Sequence, residues 1–122
     1  MTKKKILVVD DEPGFTRLLK LTMPRYEIKE ENDARQAMDT AKQFRPDLIL
    51  LDVIMPWLDG GDLASSFRSD WSLRHIPIVF LTAIVKTGEI GGSERQIGGF
   101  PFLAKPVSTD SLTRCIEEHL GV

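Results

Sequence analysis

Four apolar residues, Ile6 to Val9, run without a polar break and stop on Asp10, Asp11 and Glu12. A short β-branched run that does not alternate is the pattern of a strand covered on both faces. Pro13 suits a first helical turn, and Phe15, Leu18, Leu19 and Met23 then recur at helical spacing until Pro24. The same unit recurs along the chain. Tyr26 to Glu31 reads as a shorter, more polar strand, and Asn32 or Asp33 can cap a helix carrying Ala34, Ala37, Met38, Ala41 and Phe44, which Pro46 ends. Leu48 to Leu51 is a second unbroken apolar strand, closed by Asp52. A loop through Pro56 and Gly60-Gly61 leads from it to a helix near Asp62 to Arg68. Ile78 to Leu81 and Phe100 to Ala104 are two further strands. After the last, Ser108 caps a helix with Leu112, Cys115, Ile116 and Leu120, which Gly121 closes.

Five strands alternating with about five helices predict an α/β fold: a doubly wound five-stranded parallel sheet with right-handed crossovers and helices on both faces. For five strands the expected order is 2-1-3-4-5, flavodoxin-like, with the site beyond the carboxyl ends of the strands. Strand 1 ends on Asp10 and Asp11, strand 3 on Asp52, strand 4 on Thr82 and strand 5 on Lys105. Four contiguous strands therefore bring three carboxylates, a hydroxyl and an ammonium to one crevice. Strand 2 is peripheral, and its Glu30 and Glu31 are expected to lie outside that cluster.

Composition narrows the function classes. The 122 residues, 42% apolar and 28% charged, suit one globular domain over 1–122. A net charge of −2 with mixed signs gives no electrostatic footprint for nucleic acid or anionic lipid. One cysteine excludes an internal disulfide, and no apolar run has the length of a membrane span, so a cytoplasmic location is expected.

Two carboxylates about 4 Å apart repel by roughly 4 kcal/mol at an effective dielectric near 20, so a trio does not stay ionised unaided. Either one takes up a proton or a divalent cation neutralises them. Oxygen-only ligands without His or Cys favour a hard ion, Mg²⁺ in preference, with Mn²⁺ as an alternative. Beside such an ion a carboxylate can act as nucleophile toward a phosphoryl group, with Lys105 and the Thr82 hydroxyl on its other oxygens. Asp52, the lone acid at the centre of the sheet, is the better acceptor, and the small Ala83 leaves room for the phosphate. His75 and His119 have no ligand spacing and are expected in solvent-facing or capping roles.

The stretches "ILVVDDE", "DLILLDVIMPWLDGGDL", "IPIVFLTA" and "FLAKPV" together resemble, in order and spacing, the receiver domain of two-component response regulators. The resemblance covers nearly the whole chain. It implies that Asp52 is the phosphoacceptor and that Asp11 binds the metal directly and Asp10 through water. The Ile54 backbone carbonyl then completes the protein ligands. It further implies that Lys105 pairs with the phosphoryl group, that the bond to Pro106 is cis, that Thr82 moves to the phosphate, and that Phe102 is the partner aromatic of the switch. A sensor histidine kinase or phosphotransfer protein would be the donor. The recipient would be an output partner or a C-terminal effector, with the chain either free-standing or one part of a longer protein. Ile54 and Ile84 fall beside the path of the attacking water and cannot orient it, so slow loss of the phosphoryl group is expected.

One stretch departs from the family. Where a fourth helix is expected, "KTGEIGGSERQIGGF" carries five glycines, each costing a helix interior about 1 kcal/mol against Ala. A short, irregular or mobile helix is expected there, with Ile90, Ile97 and Phe100 covering the sheet or forming a docking patch. Two other readings stay open: a pseudo-receiver that only binds a partner, and a Mg²⁺-dependent phosphohydrolase using an aspartyl phosphate. The second needs an acid two residues after the nucleophile, where this chain has Ile54. A nucleotide-binding flavodoxin-like protein would need a glycine-rich loop after strand 1, where the chain reads DDEPG.

Overall fold

A computed structural model of the chain describes residues 3–52, 60–82, 96–97, 100–104 and 108–121. Its elements follow the predicted alternation: β1 Lys5–Val9, α1 Pro13–Thr22, β2 Glu27–Glu31, α2 Ala37–Phe44, β3 Leu48–Asp52, α3 Gly60–Ser69 and β4 Ile78–Thr82, then β5 Gln96–Ile97, β6 Phe100–Ala104 and α4 Thr109–Leu120. The sheet order is β2-β1-β3-β4-β6-β5. Without β5, this is the expected five-stranded parallel sheet in the order 2-1-3-4-5.

At the end of the glycine-rich stretch the structure places the two-residue strand β5. Gln96 and Ile97 pair antiparallel with Pro101 and Phe100, so Ile97 extends the sheet edge and is not part of a helix. Glycine weakens the helical alternative, and an edge strand this short needs only two residues of extended backbone. Residues 83–95, with Ile90 and the rest of that stretch, lie outside the described residues.

Helix ends are set by local chemistry. Pro13 opens α1. Asp33, not Asn32, is the cap before α2: its side chain accepts from the Arg35 backbone N–H at 3.0 Å and starts a 3₁₀ turn, Ala34–Gln36, that leads into the helix. Arg45, at φ 55°, ends α2 ahead of Pro46. Ser108 caps α4 by accepting from Ser111 N–H at 3.0 Å, and Gly121, at φ 68°, terminates it in the left-handed region where a Cβ is disfavoured.

Strand alternation divides the core into two layers. Leu7, Val9, Ile49, Leu51, Ile78 and Phe80 point to α2 and α3, where Phe67 fills the centre. Ile6, Val8, Leu48, Leu50, Val79 and Leu81 point to α1 and α4, against Leu19, Leu112 and Ile116. Both faces are covered, which is why these strands carry no polar alternation. On α1 the buried positions are Thr16 and Leu19, while Leu18 is exposed although it matches the apolar spacing.

Cys115 belongs to the second layer, as its place on the apolar stripe of α4 predicts. Burial, aided by the nearby Glu118 charge, pushes its thiol pKa up to about 11. His119 Nδ1 donates to the Cys115 carbonyl at 2.8 Å, a capping role within the last turn. Two units above the ordinary value leave about a hundredfold less thiolate at pH 8, and only the thiolate reacts. Alkylation of the native protein at pH 8 should be at least that much slower than after unfolding. A native rate equal to that of a free thiol would show that Cys115 is not held in this layer.

Candidate functional site

Parallel pairing brings the acids together. Val9 stands opposite Leu51 in the β1–β3 ladder, so Asp10 and Asp52, one residue further on, emerge at the same level of the carboxyl edge. Asp52 is the last residue of β3, at the centre of the sheet, paired with Leu81 of β4. One carboxylate oxygen from each of Asp10, Asp11 and Asp52 lies within 4.8 Å of the others. Asp10 is fully buried and Asp52 is 6% exposed, whereas Asp11 is open to solvent.

The trio is built by local backbone geometry as well as by register. The Glu12 N–H donates to Asp10 Oδ1 at 3.0 Å, turning that carboxylate over the start of α1. The Asp10 N–H donates to the Glu31 carbonyl at 3.1 Å, extending the β1–β2 ladder past Val9. Glu31 itself turns to α2, where its side chain accepts from the Asp33 N–H and the Thr40 hydroxyl. Glu30 turns to α1 and meets Arg17 at 3.3 Å. Neither glutamate is part of the metal-competent group, as their place on the peripheral strand predicts.

The donor set fits a hard divalent cation. All three groups offer carboxylate oxygen and none is His or Cys. Opposite ligands of an ion with bonds of about 2.1 Å are about 4.2 Å apart, so separations below 4.8 Å are close to those of one shared coordination sphere. Such a cation would also relieve the repulsion of two carboxylates held out of water.

Around the acids, Thr82 ends β4 with its backbone paired to Ala104, the last residue of β6. Lys105 is therefore the next residue of the chain after that pair, although it and Pro106, Ile54, Ala83 and Ile84 lie outside the described residues. Phe102 is half-buried against the α2–α3 layer and is paired in register with Phe80. Sequence reading missed Thr16 and Asn32, which stand behind Asp10. Asn32 resembled a helix cap, and Thr16 fell between apolar positions; a polar residue on the buried side of a helix was the available signal.

Three carboxylates gathered at the carboxyl edge of a doubly wound parallel sheet are the arrangement expected of a receiver-type acidic site. The chain belongs to the response regulator receiver domain family, which matches residues 6–117. It is 42% identical over 106 residues to the response regulator PleD of Caulobacter vibrioides, an alignment covering 84% of this chain and 23% of PleD. The chain thus spans about a quarter of that relative's length. With the polar-differentiation response regulator DivK of Brucella anthropi it shares 30% identity over 120 residues, 97% of each protein. Among solved structures, the receiver domain of sensor histidine kinase PA1611 from Pseudomonas aeruginosa matches with a TM-score of 0.83 and 29% identity. That match covers 99% of this chain and all of the other, which has a magnesium ion coordinated in its active site cleft. The chain is thus a receiver domain of two-component signalling, and a histidine kinase is the partner its family implies. Among the described residues no helix is long and apolar enough to cross a membrane.

Proposed function

We propose that the chain, as one receiver domain over 1–122, takes a phosphoryl group from a histidine kinase or phosphotransfer protein onto Asp52, with Mg²⁺ held by Asp10, Asp11 and Asp52. The convergence of Asp52 with Asp10 and Asp11 at the carboxyl edge carries this reading. A carboxylate oxygen of Asp52 attacks phosphorus, the bond from phosphorus to the donor's nitrogen or oxygen breaks, and that atom keeps the electron pair. A bound divalent cation neutralises charge on the transferring phosphoryl oxygens. The chain's own part is to hold Asp52 beside Asp10 and Asp11 at the carboxyl edge of the sheet. Lys105, following Ala104 at the adjacent strand end, supplies the positive charge for the phosphoryl group. Ala83 would leave room for it, and the Ile54 carbonyl would complete the protein ligands of the ion.

The response then passes through Thr82 and Phe102 to an output partner or effector. Phe102 has no hydroxyl, so its part in the switch is a change of packing against the α2–α3 layer. The magnesium ion in the active site cleft of the similar PA1611 receiver supports Mg²⁺ over Mn²⁺, and a receiver in the cytoplasm is where such a kinase would find it.

Intact-mass measurement after incubation with acetyl phosphate tests the reading. One phosphoryl adduct is expected with Mg²⁺ and none with excess chelator. No adduct under either condition would favour a pseudo-receiver that works by binding alone. The adduct should also decay slowly, since Ile54 and Ile84 offer no group to orient water. Decay over seconds would overturn that expectation while leaving the acceptor chemistry intact.

A further inference from the structure

Asp10 is held from behind by side chains that the phosphoacceptor chemistry does not use. Its carbonyl oxygen accepts from Asn32 Nδ2 at 2.8 Å, and the same nitrogen donates to Thr16 Oγ1 at 3.0 Å. The Asp10 carbonyl can only accept, so the amide nitrogen must face it and the orientation of the Asn32 amide is determined. Thr16 is fully buried. Its single hydroxyl proton lies within reach of Glu30 Oε1 at 3.0 Å and of the Pro13 carbonyl at 3.2 Å. The other Glu30 oxygen meets Arg17, whose side chain is mostly exposed.

For packing alone, an apolar side chain would serve better than threonine on the buried face of α1, because a buried hydroxyl is unfavourable unless it is bonded. Here it is bonded to the Asn32 amide, which also reaches the Asp10 carbonyl. The bond from Asn32 takes over where the backbone ladder ends: Val9 pairs with Glu31, and one residue later a side chain replaces the backbone donor.

We propose that Asn32 and Thr16 are positioning residues of the acidic site, holding the Asp10–Asp11 peptide in the plane that aims both carboxylates toward Asp52. The peptide unit is planar, so fixing the Asp10 carbonyl also fixes the nitrogen and Cα of Asp11. Asp10 is then constrained at its N–H, its carbonyl and its carboxylate, by Glu31, Asn32 and the Glu12 N–H in turn. Among the described residues the exposed Asp11 shows no comparable set of bonds, and this peptide fixes where its side chain starts. The inference rests on the reading of Asp10, Asp11 and Asp52 as the metal site.

Calorimetric titration with MgCl₂ tests it, on the wild type, Thr16→Val, Thr16→Ser and Asn32→Leu, beside the melting temperature of each metal-free protein. Partners behind metal ligands typically change affinity by about tenfold to a hundredfold. Thr16→Val and Asn32→Leu should weaken Mg²⁺ binding by about tenfold or more, and Thr16→Ser, which keeps the hydroxyl, should stay within about threefold of wild type. A purely structural role would lower the melting temperature and leave the Mg²⁺ dissociation constant unchanged, and that outcome overturns the inference. Thr16→Val is nearly isosteric and keeps the test decisive if Asn32→Leu does not fold. A wild type that binds no Mg²⁺ would instead overturn the metal-site reading itself, and the positioning role with it.

Discussion

Asp52→Asn is expected to abolish the phosphoryl adduct under conditions that label the wild type fully. Asparagine keeps the shape and burial of the side chain at the end of β3 but offers no carboxylate oxygen as nucleophile, so the loss should be complete and not graded. The same substitution removes one of three crowded carboxyl groups, whose charged forms oppose one another by about 4 kcal/mol per pair at 4 Å and an effective dielectric near 20. The metal-free variant should therefore melt at a higher temperature than the metal-free wild type, while its Mg²⁺ affinity falls. Loss of labelling with a raised melting temperature separates removal of a functional charge from unfolding. An adduct that persists in Asp52→Asn would place the acceptor elsewhere and remove the basis for the proposed chemistry.

Phe67→Ala should be the most destabilising single truncation outside the site. Phe67 is fully buried on α3 and sits in the layer formed with Leu7, Ile49, Leu51 and Phe80. Truncating a buried phenylalanine removes its transfer energy and leaves a cavity, at a cost of about 3–5 kcal/mol. A domain of this length is held by roughly 6–18 kcal/mol at about 0.05–0.15 kcal/mol per residue, so the change removes a large share of the total. Urea unfolding should show a lower midpoint with an unchanged slope. A loss below about 1 kcal/mol would mean that α3 does not pack on the sheet through this ring.

Much of the fold was legible because its strands are covered on both faces. Ile6 to Val9, Leu48 to Leu51 and Ile78 to Leu81 are unbroken apolar runs, and each interval between them carries helical spacing or turn residues. That pattern is local, and so are the caps: Ser108 and Gly121 act where they were expected, because a cap depends on the few backbone groups beside it. The glycine-rich stretch was harder. Its glycines argue against a helix, but only pairing with β6 makes Gln96 and Ile97 a strand, and pairing depends on a neighbour and not on the segment itself. Leu18 illustrates the opposite failure. It has the spacing of a core residue, yet it faces solvent while Thr16 is buried.

The sequence by itself determined the order of elements, the two-sided burial of the central strands and the identity of the acids at their ends, since each of these follows from periodicity or from residues adjacent in the chain. The tertiary structure decided how close those acids come and what holds them. Asp10 meets Asp52 only because β1 and β3 pair in one register, with Val9 opposite Leu51. Asn32 reaches both the Asp10 carbonyl and Thr16 only because β2 ends beside β1 and α1 packs against them both. Contacts between residues 16 and 22 positions apart are set by strand register and helix packing, which no local pattern encodes.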